Sequence, residues 1–533
     1  MTTILLLGAG IMQIPAIRIA KSRGWRVVVA DGNPDAEGKG LCDRFACVDL
    51  KDRDGLLSLA RQCQALHGLD GVFTAGTDFS TSVAWVAEKM GLPGIPYEVA
   101  LRATDKALMR EAFARAGVPS PRFACWTGEG DPVGLVEAFQ FPLVVKPVDN
   151  MGARGVRRVD DPAGIAAACR EALLLSRSSR VILEEYMEGR ELSLDAVVDA
   201  GRITVCGVAD RHIFFPPYFV ELGHTMPTDL VQRDAEAACE VFRAGIRALG
   251  IDRGAAKGDI KMTARGPMIG EIAARLSGGY MSGWTFPLAS GVDVTGAALN
   301  VAAGLPAGDM SPRFAKVSAE RALISIPGTV AEISGLERAR SIPGVSELFL
   351  RTGPGSRVVF PRNNVEKCGN AISAHPDRRK AVEAAERAIQ AVTIRLVPLC
   401  EATDRFLFVD GTDAFTMSRR ANIDALAAMP SWEGNPSQAR SCTALFAAPL
   451  AAIGEEPCRD WHGLSLAEAV RKVERECGIQ LAARPGRDAI LLGRVFWRAI
   501  VRGSVQGGMY LIDSVRRAAE RGTLQRYLEG ICG

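Results

Sequence analysis

Between Thr104 and Gly279 the chain sets out charged and glycine-containing segments in an order that few folds can satisfy. Thr104-Asp105-Lys106 opens an amphipathic helix that stops at Gly117-Val118-Pro119. Phe141-Pro142-Leu143-Val144-Val145-Lys146-Pro147 reads as an apolar strand carrying a lysine. Asn150-Met151-Gly152-Ala153-Arg154-Gly155-Val156 is a glycine turn ahead of another short strand. A strand ending in Glu184-Glu185 leads through Tyr186, Met187 and Gly189 to Glu191 and the alternating Leu192, Leu194 and Ala196. Gly258-Asp259-Ile260-Lys261 and Glu271-Ile272-Ala273-Ala274-Arg275 read as two arms of a hairpin, followed by Ser277-Gly278-Gly279. Singly, each has a plain explanation: a solvated edge lysine, a helix start, an exposed charge pair, a turn. Their order and spacing are what constrain the chain.

The residue types suit one chemistry. Two separate lysines neutralise phosphate oxygens, and a glycine turn offers backbone N–H groups to them. A strand-to-loop edge presents backbone groups to an adenine, and a nearby carboxylate accepts from ribose hydroxyls. Asp259 and Glu271 on facing arms suit Mg²⁺, a hard cation that prefers oxygen ligands and bridges phosphates. Arg275, four residues beyond Glu271, can hold a carboxylate or phosphate with its planar fork.

Upstream, Thr3-Ile4-Leu5-Leu6-Leu7, the turn Gly8-Ala9-Gly10 and Val27-Val28-Val29-Ala30-Asp31 make a βαβ unit. Gln13 stands where a dinucleotide fingerprint has its third glycine, so a plain structural unit is the expectation. Gly71-Val72-Phe73-Thr74 reads as a further strand, and Thr77 and Asp78 after it as a helix cap or a ligand loop. A chain of 533 residues suggests several domains. Its formal charge of +3 argues against general nucleic-acid coating. Thirteen cysteines without a C-x-x-C pair, and five histidines, argue against a disulfide scaffold or a structural zinc site. No signal peptide or membrane span is read, so a cytoplasmic location is expected.

The series resembles the ATP-grasp superfamily over roughly residues 1–400. The resemblance implies an α/β chain with a Rossmann-like N-terminal (pre-ATP-grasp) domain, 1–104, and a two-lobed α+β ATP-grasp domain, 105–313. A small C-terminal α/β domain, 314–400, and a mainly helical extension, 401–533, complete the expected order. By position, Lys106 and Lys146 look like the two phosphate lysines, and Gly152 and Gly155 like the mobile covering loop. Glu184 resembles the residue near the adenine amino group, with Tyr186 and Met187 as the hinge and Glu191 as the ribose carboxylate. Asp259 and Glu271 match the Mg²⁺ carboxylates, with Mn²⁺ as an alternative ion. The implied reaction phosphorylates a carboxylate with ATP and passes the acylphosphate to an amine, with Arg275, Gly278 and Gly279 beside it.

One position departs from the family. Ala273 stands where the second carboxylate is commonly followed by a metal-binding Asn, so a second ion is held differently or the metal arrangement is weakened. A subgroup that ligates amino acids carries this E-I-A-A-R form. Phe219-Val220-Glu221-Leu222-Gly223-His224 resembles another segment of that subgroup. Glu221 is therefore expected as a further metal ligand, and His224 as a substrate contact or proton acceptor, against the plainer reading of an ordered loop with a structural histidine. The expected activity is an ATP-dependent carboxylate–amine ligase for a small carboxylate such as an amino acid. An ATP-binding regulatory protein with decayed catalysis, and an enzyme using bicarbonate or formate, are the competing readings. Residues 401–533 contain helical patterns at 464–477, 489–501 and 509–521, with Arg494, Arg498 and Arg502 at i, i+4 spacing. The expectation for this extension is a second domain or a contact for a partner, including a like chain.

Overall fold

The computed structural model describes residues 1–409, 431–432, 445–446, 459–479 and 490–532. They form two compact units, Met1–Glu320 with Ile372–Val382, and Arg321–Ala371 with Glu383–Gly533.

The first unit begins with a parallel sheet of β1 (Thr3–Leu7), β2 (Arg26–Asp31), β3 (Arg44–Cys47) and β4 (Gly71–Phe73), in the order β3-β2-β1-β4. β1 is buried at every position, because apolar residues cover both of its faces, as parallel sheets require. The crevice at its C-terminal end is closed to a dinucleotide. The Gln13 amide turns inward and donates to Ala75 O, and Asp31 accepts from Ala9 N at 2.7 Å and Asn33 N at 2.8 Å. The acidic residue that could have met a ribose is consumed by its own loop. Neither Thr77 nor Asp78 caps the next helix, Ser80–Met90, whose N-cap is Phe79.

Next comes an antiparallel sheet of β5 (Phe123–Trp126), β6 (Leu143–Pro147), β7 (Arg157–Val159) and β8 (Val181–Glu185), in the order β5-β8-β6-β7. The helix Lys106–Arg115 leads into it, started by Asp105, whose Oδ1 accepts from Ala107 N and Leu108 N. The site is carried by a second antiparallel sheet of β9 (Arg190–Asp199), β10 (Arg202–Phe214), β11 (Val220–Met226), β12 (Gly254–Thr263) and β13 (Gly266–Ala273), running β13-β12-β9-β10-β11. Strand alternation sorts its two faces. Leu192, Leu194 and Ala196 of β9 join Ile260, Ile269 and Ile272 and the helix Gln232–Leu249 in one apolar core. Glu191, Ser193 and Asp195 point the other way.

In the second unit, short strands such as Val345–Leu350 and Thr393–Leu396 accompany the helices Arg378–Ala391, Leu466–Cys477 and Gly493–Glu520. The two helices expected at 489–501 and 509–521 lie within Gly493–Glu520 and meet at Ser504, whose backbone (φ 48°, ψ −140°) is not helical. The arginine stripe is not a solvated face. Arg502 is buried and Arg494 and Arg498 are half-buried, as the helix is enclosed on most sides. Among the described residues no helix is long and apolar enough to cross a membrane.

Candidate active site

The register of the second sheet assembles a ladder of charge. Asp259 of β12 lies opposite Glu271 of β13 and Ser193 of β9, while Lys257 lies opposite Ala273 and Asp195, and Lys261 opposite Glu191. Residues two apart on a strand share a face, and of these Glu191, Asp259, Lys261 and Glu271 line a cleft of about 150 Å³. Lys106, Lys146, Gly152, Glu184, Tyr186, Met187, Glu191, Asp259 and Glu271 all line it, as the sequence led us to expect. Gly155 belongs to the same turn.

The phosphate end is built from both sheets. Lys106 Nζ donates to Asn150 O at 2.7 Å and lies 3.8 Å from Glu271 Oε2. Lys146 Nζ meets Glu184 Oε2 at 2.7 Å, and Arg110 Nε meets the other oxygen at 2.8 Å. Burial would push the Glu184 carboxyl up, but Arg110 and Lys146 outweigh it and hold the group below its usual range. Burial lowers Lys146, with Glu184 working against the shift. Glu184 thus stands in the pocket as the anchor of Lys146. Arg110, fully buried, was not expected as a member of the site.

The covering turn has positive φ at Gly152 (68°), Ala153 (61°) and Gly155 (73°). At Gly155 a side chain would also meet Leu175 and Pro147 at 3.0 Å. Arg154, on this turn, pairs with Asp78, and Arg177 lies 3.6 Å from the same carboxylate. At the expected hinge, the Tyr186 N–H is donated to Pro142 O at 2.9 Å. The Tyr186 ring instead receives Lys261 Nζ at 4.3 Å and the Arg158 guanidinium at 4.8 Å from its centroid. Glu191 accepts Lys261 at 2.9 Å and Arg211 at 3.3 Å.

Around the expected metal carboxylates the protein supplies its own cations. Burial would raise Asp259, yet Arg211 (3.3 Å) and Lys257 hold it low. Lys106 and Lys257 do the same for Glu271. These two hard-oxygen groups, opposed in register at the lysine end of the cleft, fit one Mg²⁺. Glu221 shares Arg211 with Asp259: its Oε2 takes Arg211 Nε at 2.7 Å and lies 3.4 Å from His224 Nε2. Among the described residues, no three His, Cys, Asp or Glu side chains converge as a ready-made metal cage.

Beyond the carboxylates lies the turn expected to face the second substrate. Gly279 (φ 60°) passes so close to Glu221 and His224 that a side chain there would meet them at 3.0 and 3.2 Å. His224 Nδ1 lies 3.2 Å from the fully buried Glu320. Burial alone would lower the imidazole; Glu221 and Glu320 win and lift it to about 9. Its two ring nitrogens face the two carboxylates, Nε2 toward Glu221 and Nδ1 toward Glu320, an arrangement that favours the protonated ring. Arg275 donates to Thr77 O at 3.1 Å and Leu276 O at 2.9 Å, and its Nη2 lies 3.8 Å from Met151 Sδ. It thus joins the N-terminal loop to the covering turn. Below it, Asp195 accepts from Ser277 N at 2.9 Å and from Ser277 Oγ, and burial raises its carboxyl to about 6.

Arg211, Lys257, Lys261, Glu320 and Asp195 were not expected among the site residues. Lys257 and Lys261 lie two residues either side of Asp259, and Asp195 four beyond Glu191, so even spacing gave their face though not their partners. Asp210 and His212, on the opposite face from Arg211, bond instead to Thr228 at 2.6 Å and Thr225 at 2.9 Å.

The ATP-grasp domain family matches residues 139–283, and the family described as L-amino acid ligase C-terminal domain 2 matches residues 321–397. Carnosine synthase 1 of Mus musculus is 28% identical over 342 residues, covering 58% of this chain and 41% of that protein. An uncharacterised protein of Sinorhizobium fredii is 27% identical over 365 residues, covering 68% of this chain and 75% of that one. The chain therefore spans under half the length of the carnosine synthase it matches. The L-amino acid ligase structure from Bacillus licheniformis superposes with a TM-score of 0.65 at 20% identity, covering 74% of this chain and 99% of that one. Phosphoribosylglycinamide synthetase from Anaerococcus prevotii gives 0.60 at 21% identity, over 74% and 100%. With its charge ladder, glycine turn and two family matches, the chain is similar to ATP-grasp proteins, and its named relatives and structural neighbours include carboxylate–amine ligases.

Proposed function

We propose that this protein uses ATP and Mg²⁺ to phosphorylate a small carboxylate, an amino acid, and couples the acylphosphate to an amine, releasing ADP and phosphate. The observation that carries this reading is the neighbourhood of two different anion sites. One is the lysine end of the cleft, Lys106 and Lys146. The other is Arg275, which reaches from the covering turn to the N-terminal loop and precedes the Gly278–Gly279 turn. A nucleotide with its phosphates on the lysines would bring its terminal phosphorus toward a carboxylate held by Arg275 and the turn.

In that arrangement a carboxylate oxygen attacks the terminal phosphorus and ADP leaves. An amine then attacks the acyl carbon, the acyl–phosphate C–O bond breaks, and the amine's proton ends on the phosphate, which leaves as hydrogen phosphate. The chain's part is placement and charge neutralisation. Lys106 and Lys146 bind the phosphates, Asp259 and Glu271 would hold Mg²⁺, and the Gly152–Gly155 turn covers the reacting groups. When bound, Mg²⁺ supplies charge neutralisation to the phosphates. The D-alanine–D-alanine ligase of Marinobacter nauticus, 30% identical over 131 residues, is a further relative with a ligase name.

The test is ADP and phosphate release from the full chain with Mg²⁺ATP, pooled amino acids and pooled amines, with Asp259→Asn as control. Release that needs both pools, and that fails in the variant, supports the reading. Release with bicarbonate or formate alone would replace it, and nucleotide binding without release under any combination would favour a regulatory protein.

A further inference from the structure

The cation beside the Asp259–Glu271 pair is part of the protein. Lys257 lies two residues before Asp259 on the same face of β12, and its partner across the β12–β13 ladder is Ala273. Alanine has no donor atom and little bulk, so the position next to Glu271 on β13 contributes no ligand. The Lys257 ammonium is in contact with Asp259, and its charge acts on Asp259, Glu271 and Asp195 alike. The lysine side chain is only 15% exposed, so its charge acts with little screening by water.

The other carboxylates that line or flank the cleft are engaged by protein cations. Glu191 is taken by Lys261 and Arg211, Glu221 by Arg211 and His224, and Glu184 by Lys146 and Arg110. Magnesium demands near-ideal octahedral oxygen coordination. Asp259 and Glu271 can serve one such ion together with nucleotide phosphates. A second ion would have to displace the ammonium from Asp259 without gaining a protein oxygen at position 273.

We propose that Lys257 replaces a second divalent cation, so that this chain binds one metal ion per nucleotide. This rests on the nucleotide reading of the cleft above. Lys257 is thereby a positioning residue: it holds Asp259 and neutralises it, and leaves a single ion site between Asp259 and Glu271. The contrast with a merely structural lysine lies in the metal count, which a structural role would not alter.

The experiment titrates the full chain with Mn²⁺ and β,γ-imido-ATP, counting free Mn²⁺ by its electron paramagnetic resonance signal and bound nucleotide by equilibrium dialysis. The wild type is expected to bind one Mn²⁺ per nucleotide. Lys257→Gln, which removes the charge and adds an oxygen, is expected to take up a second Mn²⁺ at least about tenfold more tightly than the wild type does, given the penalty that a neighbouring like charge imposes. Lys257→Arg should remain at one. Two ions per nucleotide in the wild type, or an unchanged count in Lys257→Gln, would overturn the proposal while leaving nucleotide binding intact. If Lys257→Gln fails to fold, the wild-type count decides alone. No bound nucleotide at all would overturn the nucleotide reading itself, and this proposal with it.

Discussion

Lys146 illustrates how this cleft keeps charge inside the protein. Its ammonium is buried but held by Glu184, which Arg110 holds in turn, so removal of the lysine leaves the carboxylate still partnered. Lys146→Met is therefore expected to fold and to lose about a hundredfold in kcat/KM for ATP, measured by ADP release, because a phosphate-facing cation is gone. His224 gives the second residue-scale expectation. Its pKa lies at about 9 against an ordinary 6.5, so the stability from its pairs with Glu221 and Glu320 is complete below about pH 6.5. That stability is lost as pH rises through about 9. Thermal unfolding followed from pH 6 to 10 should show a melting temperature falling by several degrees across this window, and His224→Gln should flatten it. A wild-type melting temperature that is level from pH 6.5 to 9 would contradict the pairing.

The elements carry meaning that residues alone do not. Lys106, Lys146, Glu191, Asp259 and Glu271 were legible in the sequence because each stands at a fixed place in a strand or helix start. Lys257, Asp195 and Arg211 were not, because their partners come from cross-strand register, which a single sequence does not print. Glu320 lies 96 residues from His224, a separation at which no local pattern helps. Among helices, the patterns at 489–501 and 509–521 leave a gap between them, and it is in that gap, at Ser504, that the backbone departs from helical geometry. The covering turn has its own expectations. Gly155→Ala would place a methyl in a left-handed conformation against Leu175 and Pro147, at a cost of about 1–2 kcal/mol with weakened nucleotide binding by calorimetry. Asp78→Asn should free the turn, so tryptic cleavage after Arg154 should rise about tenfold as the local opening cost falls by roughly 1.4 kcal/mol; unchanged cleavage would show that the Asp78–Arg154 pair does not hold it.

At the scale of the whole molecule, the first unit contains every expected site residue, from Lys106 to Gly279. The second unit joins residues of the L-amino acid ligase C-terminal match to the described part of the extension. Arg395 pairs with Asp513 at 2.7 Å, and Tyr510 donates to Asp404 at 2.9 Å. Arg502 is buried and Arg494 and Arg498 half-buried; helical spacing identifies one face but not what covers it. The ligase reading depends on a carboxylate oxygen becoming bonded to phosphorus. Full-length protein should therefore be turned over with Mg²⁺ATP, an amine and the amino-acid substrate found in the pooled screen, labelled with ¹⁸O in its carboxylate. Mass spectrometry of the released phosphate should find one ¹⁸O transferred per turnover. Phosphate released without label during product formation, or AMP and pyrophosphate in place of ADP, would contradict an acylphosphate route.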